Sequence, residues 1–133
     1  MPDTGQARAA PLVGVVDDEP EIREVIAETL EVIGYRVSAA PNGKVALEQA
    51  KVDRPDLFVL DLMMPVMSGW QFLEAQRRDP ELSPVPVIVV TAATDHHVDG
   101  AAVLLRKPFD LDTLVTAAAR LCGGPEQLDS PSV

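Results

Sequence analysis

The feature of this sequence that most constrains its fold is a set of four short, continuous apolar runs rich in β-branched residues. They are residues 13–16 (VGVV), 57–60 (LFVL), 87–90 (VIVV) and 103–105 (VLL). Runs of this length without polar alternation predict strands that are covered on both faces, as in a parallel sheet. A fifth segment, 35–39 (YRVSA), alternates instead and predicts an edge strand.

Amphipathic helical patterns fill the intervals between these strands. Pro20 suits a first helical turn, and apolar residues then recur with a 3.6-residue period as far as Gly34. Asn42 and Ser68 each precede a glycine and open the next two helices, and the last helix begins near Leu111. Strands that alternate with helices in this way predict a doubly wound α/β domain with a five-stranded parallel sheet.

The fourth crossover is the least regular part of the predicted fold. Only 11 residues (92–102) connect the fourth and fifth predicted strands, whereas a parallel crossover needs about a dozen. We therefore predict a shortened or irregular fourth helix. The domain is predicted to span residues 12–122, between a flexible N-terminal segment (1–11) and a short C-terminal tail (123–133).

Charge and cysteine content limit the classes of function. The formal net charge of −10 argues against direct binding to DNA, because the phosphates would be repelled. A single cysteine, Cys122, excludes an internal disulfide and fits a reducing compartment. Residues 1–11 lack the apolar run of a signal peptide, and no stretch approaches membrane-spanning length. We therefore expect a cytoplasmic protein without membrane insertion.

Polar side chains follow four of the predicted strands. Asp17 and Asp18 follow the first strand, Asp61 the third, Thr91 the fourth and Lys107 the fifth. Because open α/β sheets bind ligands at the carboxyl ends of their strands, these groups are expected to meet in one cleft. Neighbouring carboxylates raise one another's pKa and need a cation, and oxygen ligands favour a hard ion such as Mg²⁺. With a lysine and a hydroxyl beside them, they suit phosphoryl transfer.

The motifs at these strand ends resemble those of response regulator receiver domains, the phosphorylation switches of bacterial two-component systems. The matching segments are VVDDEP at 15–20, DLMMPVMSG at 61–69, TA at 91–92 and KPF at 107–109. Each is modest alone, but four in order at strand ends are specific, and the resemblance extends over roughly residues 12–121, nearly the whole chain. The resemblance implies a receiver domain with the flavodoxin-like strand order 2-1-3-4-5. We expect either a stand-alone, single-domain regulator or a fragment of a longer protein.

The resemblance also assigns roles to individual residues. Asp61 would be the phosphoacceptor, and Lys107 would pair first with Asp61 and then with its phosphate. Thr91 would swing toward the phosphate, and the small Ala92 would leave the cleft open. The peptide bond before Pro108 would be cis, as an X-Pro bond allows at low cost.

Mg²⁺ is the cofactor that the resemblance implies. Asp18 would bind the ion directly and Asp17 largely through water, with Asp61 and the backbone carbonyl of Met63 as further ligands. The phosphoryl group would come from a sensor histidine kinase or a phosphotransfer protein, and the downstream target would be an unknown protein. Such a chain catalyses only its own phosphorylation and dephosphorylation and is not otherwise an enzyme.

One position departs from the family pattern. Many receivers have Tyr or Phe three residues before the lysine, where ring rotation reports phosphorylation, and here that position is Leu104. Together with the short fourth crossover, it predicts that the chemistry is retained while its readout is altered. We expect a monomer or weak dimer. By family analogy, the kinase would dock on the first helix, from Ile22 onward, and on residues 107–109.

Three other functions fit parts of the pattern. A degenerate receiver would act as a phosphorylation-independent scaffold; Leu104 favours this alternative, whereas the full set of acids, threonine and lysine opposes it. A haloacid-dehalogenase-type phosphatase also has an Asp nucleophile and Mg²⁺, but its second acid would stand where Met63 does. A flavodoxin-like carrier of FMN shares the architecture, but the acidic run that begins at Asp17 would repel the flavin phosphate.

Overall fold

A computed structural model describes residues 10–94 and 97–124, so most of the predicted flanking segments 1–11 and 123–133 lie outside the described residues. In chain order its elements are β1 (Leu12–Val16), α1 (Pro20–Ile33), β2 (Arg36–Ala40), α2 (Gly43–Val52), β3 (Leu57–Leu60), α3 (Gly69–Arg78), β4 (Val87–Thr91), β5 (Val103–Arg106) and α4 (Leu111–Cys122). None of these four helices is long and apolar enough to cross a bilayer.

The five strands form one sheet in the order β2-β1-β3-β4-β5, and all neighbouring pairs are parallel. The predicted order 2-1-3-4-5 is therefore confirmed, and β2 lies at an edge as its alternating sequence predicted. The order reverses at β1 and β3, where Val16 pairs with Leu60 at the carboxyl ends of the two strands. Loops that leave these two ends run in opposite directions and open a crevice between them.

Two apolar clusters hold the helices against the sheet. Helices α2 and α3 cover one face, where the buried rings of Phe58 and Phe72 meet edge to face with their centroids 4.9 Å apart. Helices α1 and α4 cover the other face through Ile26, Leu30 and Leu114. Strands β1, β3 and β4 are buried at every residue, because both of their faces meet a helical layer.

Local sequence signals account for the helix ends. Pro20 begins α1, and Gly34 ends it with a φ of 121°, a conformation that glycine adopts without a steric penalty. The side chain of Asn42 accepts a hydrogen bond from a backbone N–H in the first turn of α2. Ser68 and Gln71 form a reciprocal capping box at the start of α3. These ends fix where the loops at the carboxyl edge of the sheet begin and finish.

The crossover between β4 and β5 contains no helix in its described residues, 92–94 and 97–102. The guanidinium of Arg106, on β5, instead donates hydrogen bonds to the carbonyls of Ala93 and Thr94. The three apolar residues of β5 are only half-buried. The prediction that this run is covered on both faces holds only in part. Leu104 packs against one apolar cluster and Val103 and Leu105 against the other, but β5 is an edge strand over which the described crossover brings no helix.

Tyr35, the chain's one tyrosine, links β2 to the end of α4. Its ring is buried, and its hydroxyl donates a hydrogen bond to the carbonyl of Gly123 at 3.0 Å. Burial raises the pKa of Tyr35 from 10.0 to about 12, and the nearby thiol of Cys122 adds to the shift. The folded protein therefore favours the neutral phenol more strongly than the unfolded chain does.

We expect the tyrosinate absorbance to titrate near pH 12 in the folded protein and near pH 10 in denaturant. Because the pKa is raised by folding, this contribution to the free energy of unfolding is present below pH 10 and is lost as pH approaches 12. Tyr35→Phe removes the absorbance change and serves as the control for other groups that titrate. A folded-state midpoint near pH 10 would contradict the prediction.

Candidate functional site

The predicted polar residues lie at the carboxyl edge of the sheet. Asp17 directly follows β1, Asp61 directly follows β3, Thr91 ends β4 and Lys107 directly follows β5. Parallel pairing in register places these strand ends side by side, with Thr91 opposite Arg106. The parallel topology of the sheet therefore brings together residues that are up to 90 positions apart in the sequence.

Lys107 is the centre of this site. Its ammonium Nζ donates hydrogen bonds to Asp17 Oδ2 at 3.1 Å, Glu19 Oε1 at 2.9 Å and Asp61 Oδ2 at 3.3 Å. The side chains of Lys107, Asp17 and Asp61 are 12%, 1% and 5% exposed, whereas that of Glu19 is 56% exposed. Because an ammonium has three N–H donors, these three carboxylates use all of them.

Backbone hydrogen bonds fix the two buried carboxylates. Asp17 Oδ1 accepts from the N–H of Glu19 at 2.9 Å, and Asp61 Oδ1 accepts from the N–H of Met63 at 3.3 Å. Each carboxylate thus has one oxygen bonded to the backbone two residues ahead and the other bonded to Lys107. Both side chains are oriented by the loops in which they lie, before any ligand binds.

The site is short of positive charge. Burial raises the pKa of Asp17 against the opposing effects of the Glu19 N–H and Lys107. Burial also raises the pKa of Asp61; Lys107 opposes this shift, whereas the charge of Asp17 adds to it. Burial lowers the pKa of Lys107, but Glu19, Asp17 and Asp61 together outweigh that effect and raise it. One lysine that stays charged therefore faces three carboxylates.

These carboxylates fit a hard divalent cation. One oxygen from each of Asp17, Glu19 and Asp61 lies within 4.8 Å of the others, a set of oxygen donors that suits Mg²⁺. Asp18, the direct ligand that the family resemblance implied, lines the same cleft but lies outside this set of three. Glu19 was missed by the sequence analysis, although its place directly after Asp17 and Asp18 was an available signal.

A cleft of about 810 Å³ opens beside Asp61. One wall is apolar, formed by Ile22 and Val25 of α1 and by Phe109 at the end of the loop after β5. The peptide bond between Lys107 and Pro108 in that loop is cis. The cleft therefore has carboxylates at one end and apolar side chains at the other. This arrangement suits a charged reacting group that is carried on the surface of a partner protein.

The remaining predicted residues lie around this cleft. Ala92 lines it, directly after the buried Thr91. The hydroxyl oxygen of Thr91 accepts a hydrogen bond from the N–H of Ala93 at 3.1 Å. Leu104 lies on β5 beside Val89 of β4, half-buried, and packs against the cluster under α2 and α3. The position that many receivers fill with an aromatic ring is thus an aliphatic contact of the core.

Residues 13–119 match the family model of the response regulator receiver domain. The chain belongs to the response regulator receiver family. The chemotaxis protein CheY4 of Vibrio cholerae is 34% identical with a TM-score of 0.79, over 85% of this receiver and 99% of that chain. The response regulator TrrA of Thermotoga maritima, solved in complex with Mg²⁺-BeF, is 32% identical with a TM-score of 0.75, over 84% and 98%.

The curated relatives differ greatly in length, so the matched segment makes up very different shares of them. Protein PilH of Pseudomonas aeruginosa is 32% identical over 117 residues, which cover 83% of this receiver and 96% of that protein. By contrast, the receiver spans only 8%, 32% and 48% of the length of three other curated relatives that it matches.

Proposed function

We propose that this receiver accepts a phosphoryl group on Asp61 from a phosphohistidine of a sensor histidine kinase or phosphotransfer protein, and signals through protein contacts. The proposal rests on one observation above all, the buried Asp61 carboxylate bonded to the Lys107 ammonium beside a second buried carboxylate, Asp17. Membership of the receiver family supports the same reaction.

The contacts of Asp61 suit a nucleophile that is held in place. Its two oxygens are bonded to the Met63 N–H and to Lys107, and the residue lines the open cleft. A carboxylate oxygen would attack phosphorus as the bond from phosphorus to the donor nitrogen breaks. The Lys107 N–H that now contacts Asp61 could then donate to a phosphoryl oxygen, and positioning with charge neutralisation is most of what phosphoryl transfer requires.

Mg²⁺ would supply further positive charge for the carboxylates and for the phosphoryl oxygens. We propose that Asp17, Asp18, Asp61 and the carbonyl of Met63 hold it. The cluster of carboxylate oxygens supports a cation here, and the relative TrrA was solved with Mg²⁺-BeF. The role of Lys107 is separate: it neutralises Asp61 without occupying a metal site.

The readout is proposed to differ from that of receivers with an aromatic switch residue. The Thr91 hydroxyl oxygen accepts a hydrogen bond from the N–H of Ala93, so a movement of Thr91 toward a phosphate on Asp61 would strain this contact. The residues after Thr91 are also hydrogen-bonded to Arg106, through the carbonyls of Ala93 and Thr94. Movement of Thr91 would therefore displace the helix-free part of the crossover, and it would not rotate an aromatic ring at position 104. We propose that the domain acts as a monomer or weak dimer on an unknown protein target.

The apolar wall of the cleft supports docking of the phosphodonor protein. Ile22, Val25 and Phe109 lie beside Asp61, so a helix that carries a phosphohistidine could pack on them while its imidazole reaches the carboxylate. The net charge of −10 favours a protein partner over DNA. A cytoplasmic location stays a prediction.

Intact-mass analysis tests the proposal. We expect one phosphoryl adduct when the protein is incubated with Mg²⁺ and acetyl phosphate, and none when the cation is removed by a chelator. Borohydride reduction, which converts an aspartyl phosphate to homoserine, should place the adduct at Asp61. No adduct on folded protein would leave the scaffold alternative, and steady turnover of phosphate esters would favour the phosphatase alternative.

A further inference from the structure

Glu19 makes the shortest of the three contacts to the site lysine. Its Oε1 lies 2.9 Å from Lys107 Nζ, compared with 3.1 Å for Asp17 and 3.3 Å for Asp61. Glu19 also lines the cleft, and its side chain is more than half exposed. It is therefore the member of the cluster that an incoming phosphodonor meets from solvent, and it can be replaced without opening a buried cavity.

We propose that Glu19 is a positioning residue that binds Lys107 and sets the preference of the site for phosphodonors of lower negative charge. The inference rests on the proposed phosphorylation of Asp61. It goes beyond that function because it concerns which donors are accepted rather than which residue accepts the phosphate.

The charge balance gives the physical reason. Asp17, Glu19 and Asp61 surround a single ammonium, which leaves two negative charges unbalanced before a divalent cation binds. Replacing Glu19 with a neutral residue removes one of these charges and leaves both buried carboxylates and Lys107 intact. Because Coulomb energy scales with the product of the charges, a dianionic donor gains more from this change than a monoanionic donor.

Two small phosphodonors that differ in charge test this expectation. Acetyl phosphate is a dianion near neutral pH, and phosphoramidate carries a single net negative charge. In both reactions a bond forms between an Asp61 oxygen and phosphorus; the donor's P–O bond breaks to release acetate, or its P–N bond breaks to release ammonia. The leaving group differs between the donors but is the same for every variant, so the change in the ratio of the two phosphorylation rates between variants reports the effect of donor charge.

Glu19→Gln is expected to raise the ratio of the acetyl phosphate rate to the phosphoramidate rate by about threefold, the size expected for one screened, partly exposed charge. Rates are measured by intact mass at low ionic strength and saturating Mg²⁺. Glu19→Asp keeps the charge and should stay near the wild-type ratio. Glu24→Gln, at an exposed position of α1, the helix that directly follows Glu19, removes an equal charge outside the cleft and should leave the ratio unchanged.

A merely structural role for Glu19 would slow both donors alike and leave the ratio unchanged, and that result would overturn the proposal. An equal change of the ratio in Glu24→Gln would also overturn the proposal, since the effect would then come from the net charge of the protein and not from the charge of Glu19 in the cleft. If wild-type protein takes no phosphate from either donor, the proposed function fails and this inference fails with it.

Unfolding measurements test the contact independently of phosphorylation. A double-mutant cycle of Glu19→Gln and Lys107→Met, followed by urea unfolding without divalent cations, should show a non-zero coupling free energy. Zero coupling would overturn the proposal, because Glu19 would then not act through Lys107. This result is obtained whether or not an adduct forms, so a failure here is distinct from a failure of the proposed function.

Discussion

Asp61→Asn is expected to abolish the phosphoryl adduct and, without divalent cations, to raise the free energy of unfolding. The adduct is lost because an amide oxygen is not a nucleophile for phosphorus at neutral pH. The domain is stabilised because burial and the charge of Asp17 disfavour the ionised carboxylate of Asp61, as the raised pKa shows. Asn keeps an oxygen for the Met63 N–H, and Lys107 keeps Asp17 and Glu19. We expect a gain on the order of 1 kcal/mol.

The raised pKa values of the two buried carboxyls also predict how the stability difference between Asp61→Asn and wild type changes with pH. Both Asp17 and Asp61 have a pKa raised above 3.8 in the folded protein, so their contribution to stability is present below that pH and is lost as pH rises through the folded pKa. The stability difference between Asp61→Asn and wild type should therefore grow as pH rises from 4 toward neutrality. Added Mg²⁺ should reverse the order by stabilising only the wild type.

Urea unfolding across this pH range, with and without Mg²⁺, measures both effects. Glu24→Gln is the control, since it removes one negative charge at an exposed position of α1 that lies outside the cleft. A lower stability of Asp61→Asn than of wild type at neutral pH without cations would show that the Lys107 contact outweighs burial. An adduct that persists in Asp61→Asn would place the phosphoacceptor elsewhere.

How far the sequence predicts the fold depends on where each segment lies. The central strands were predictable because a segment covered on both faces must be apolar throughout, as in β3 (Leu57–Leu60). The edges were less predictable. Tyr35 was assigned to the second strand, but its N–H caps the end of α1 by donating to the carbonyl of Leu30, and pairing begins at the next residue, Arg36.

The residues of the site also differ in how well the sequence predicts their positions. Asp17, Asp61 and Lys107 could be placed together from the sequence because parallel topology determines where strand ends lie, whatever their separation along the chain. The place of Glu19 directly after Asp17 and Asp18 was a signal that it lies near the site. Its contact with Lys107, however, joins two flexible side chains, which the topology does not position. The same applies to Arg106, which bonds the carbonyls of the short crossover. Local patterns predict backbone positions, but not which long side chains meet.

Gly69, the first residue of α3, lies against the backbone of Asp61, the proposed phosphoacceptor, and of Leu62. A Cβ there would lie 2.6 Å from the carbonyl oxygen of Asp61 and 2.6 Å from Cα of Leu62, both backbone atoms. The N–H of Gly69 also donates to the carbonyl of Leu62 at 2.8 Å, which holds the helix start against the end of β3. A side chain at this position can therefore be accommodated only by moving the helix or the strand end that carries Asp61.

Gly69→Ala is expected to lower the free energy of unfolding by about 1–3 kcal/mol and to slow phosphorylation on the order of tenfold or more, because small displacements of reacting groups are costly. Gly43→Ala is the matched control, since Gly43 also begins a helix. The three atoms nearest to its added Cβ all belong to the flexible Met67 side chain, and the nearest, Sδ at 2.8 Å, can rotate away. Alanine also favours the helix, so Gly43→Ala should be nearly neutral. Urea unfolding and phosphorylation rates compare the two variants. Equal effects would mean that the backbone yields at Gly69, and that Asp61 does not depend on this close approach for its position.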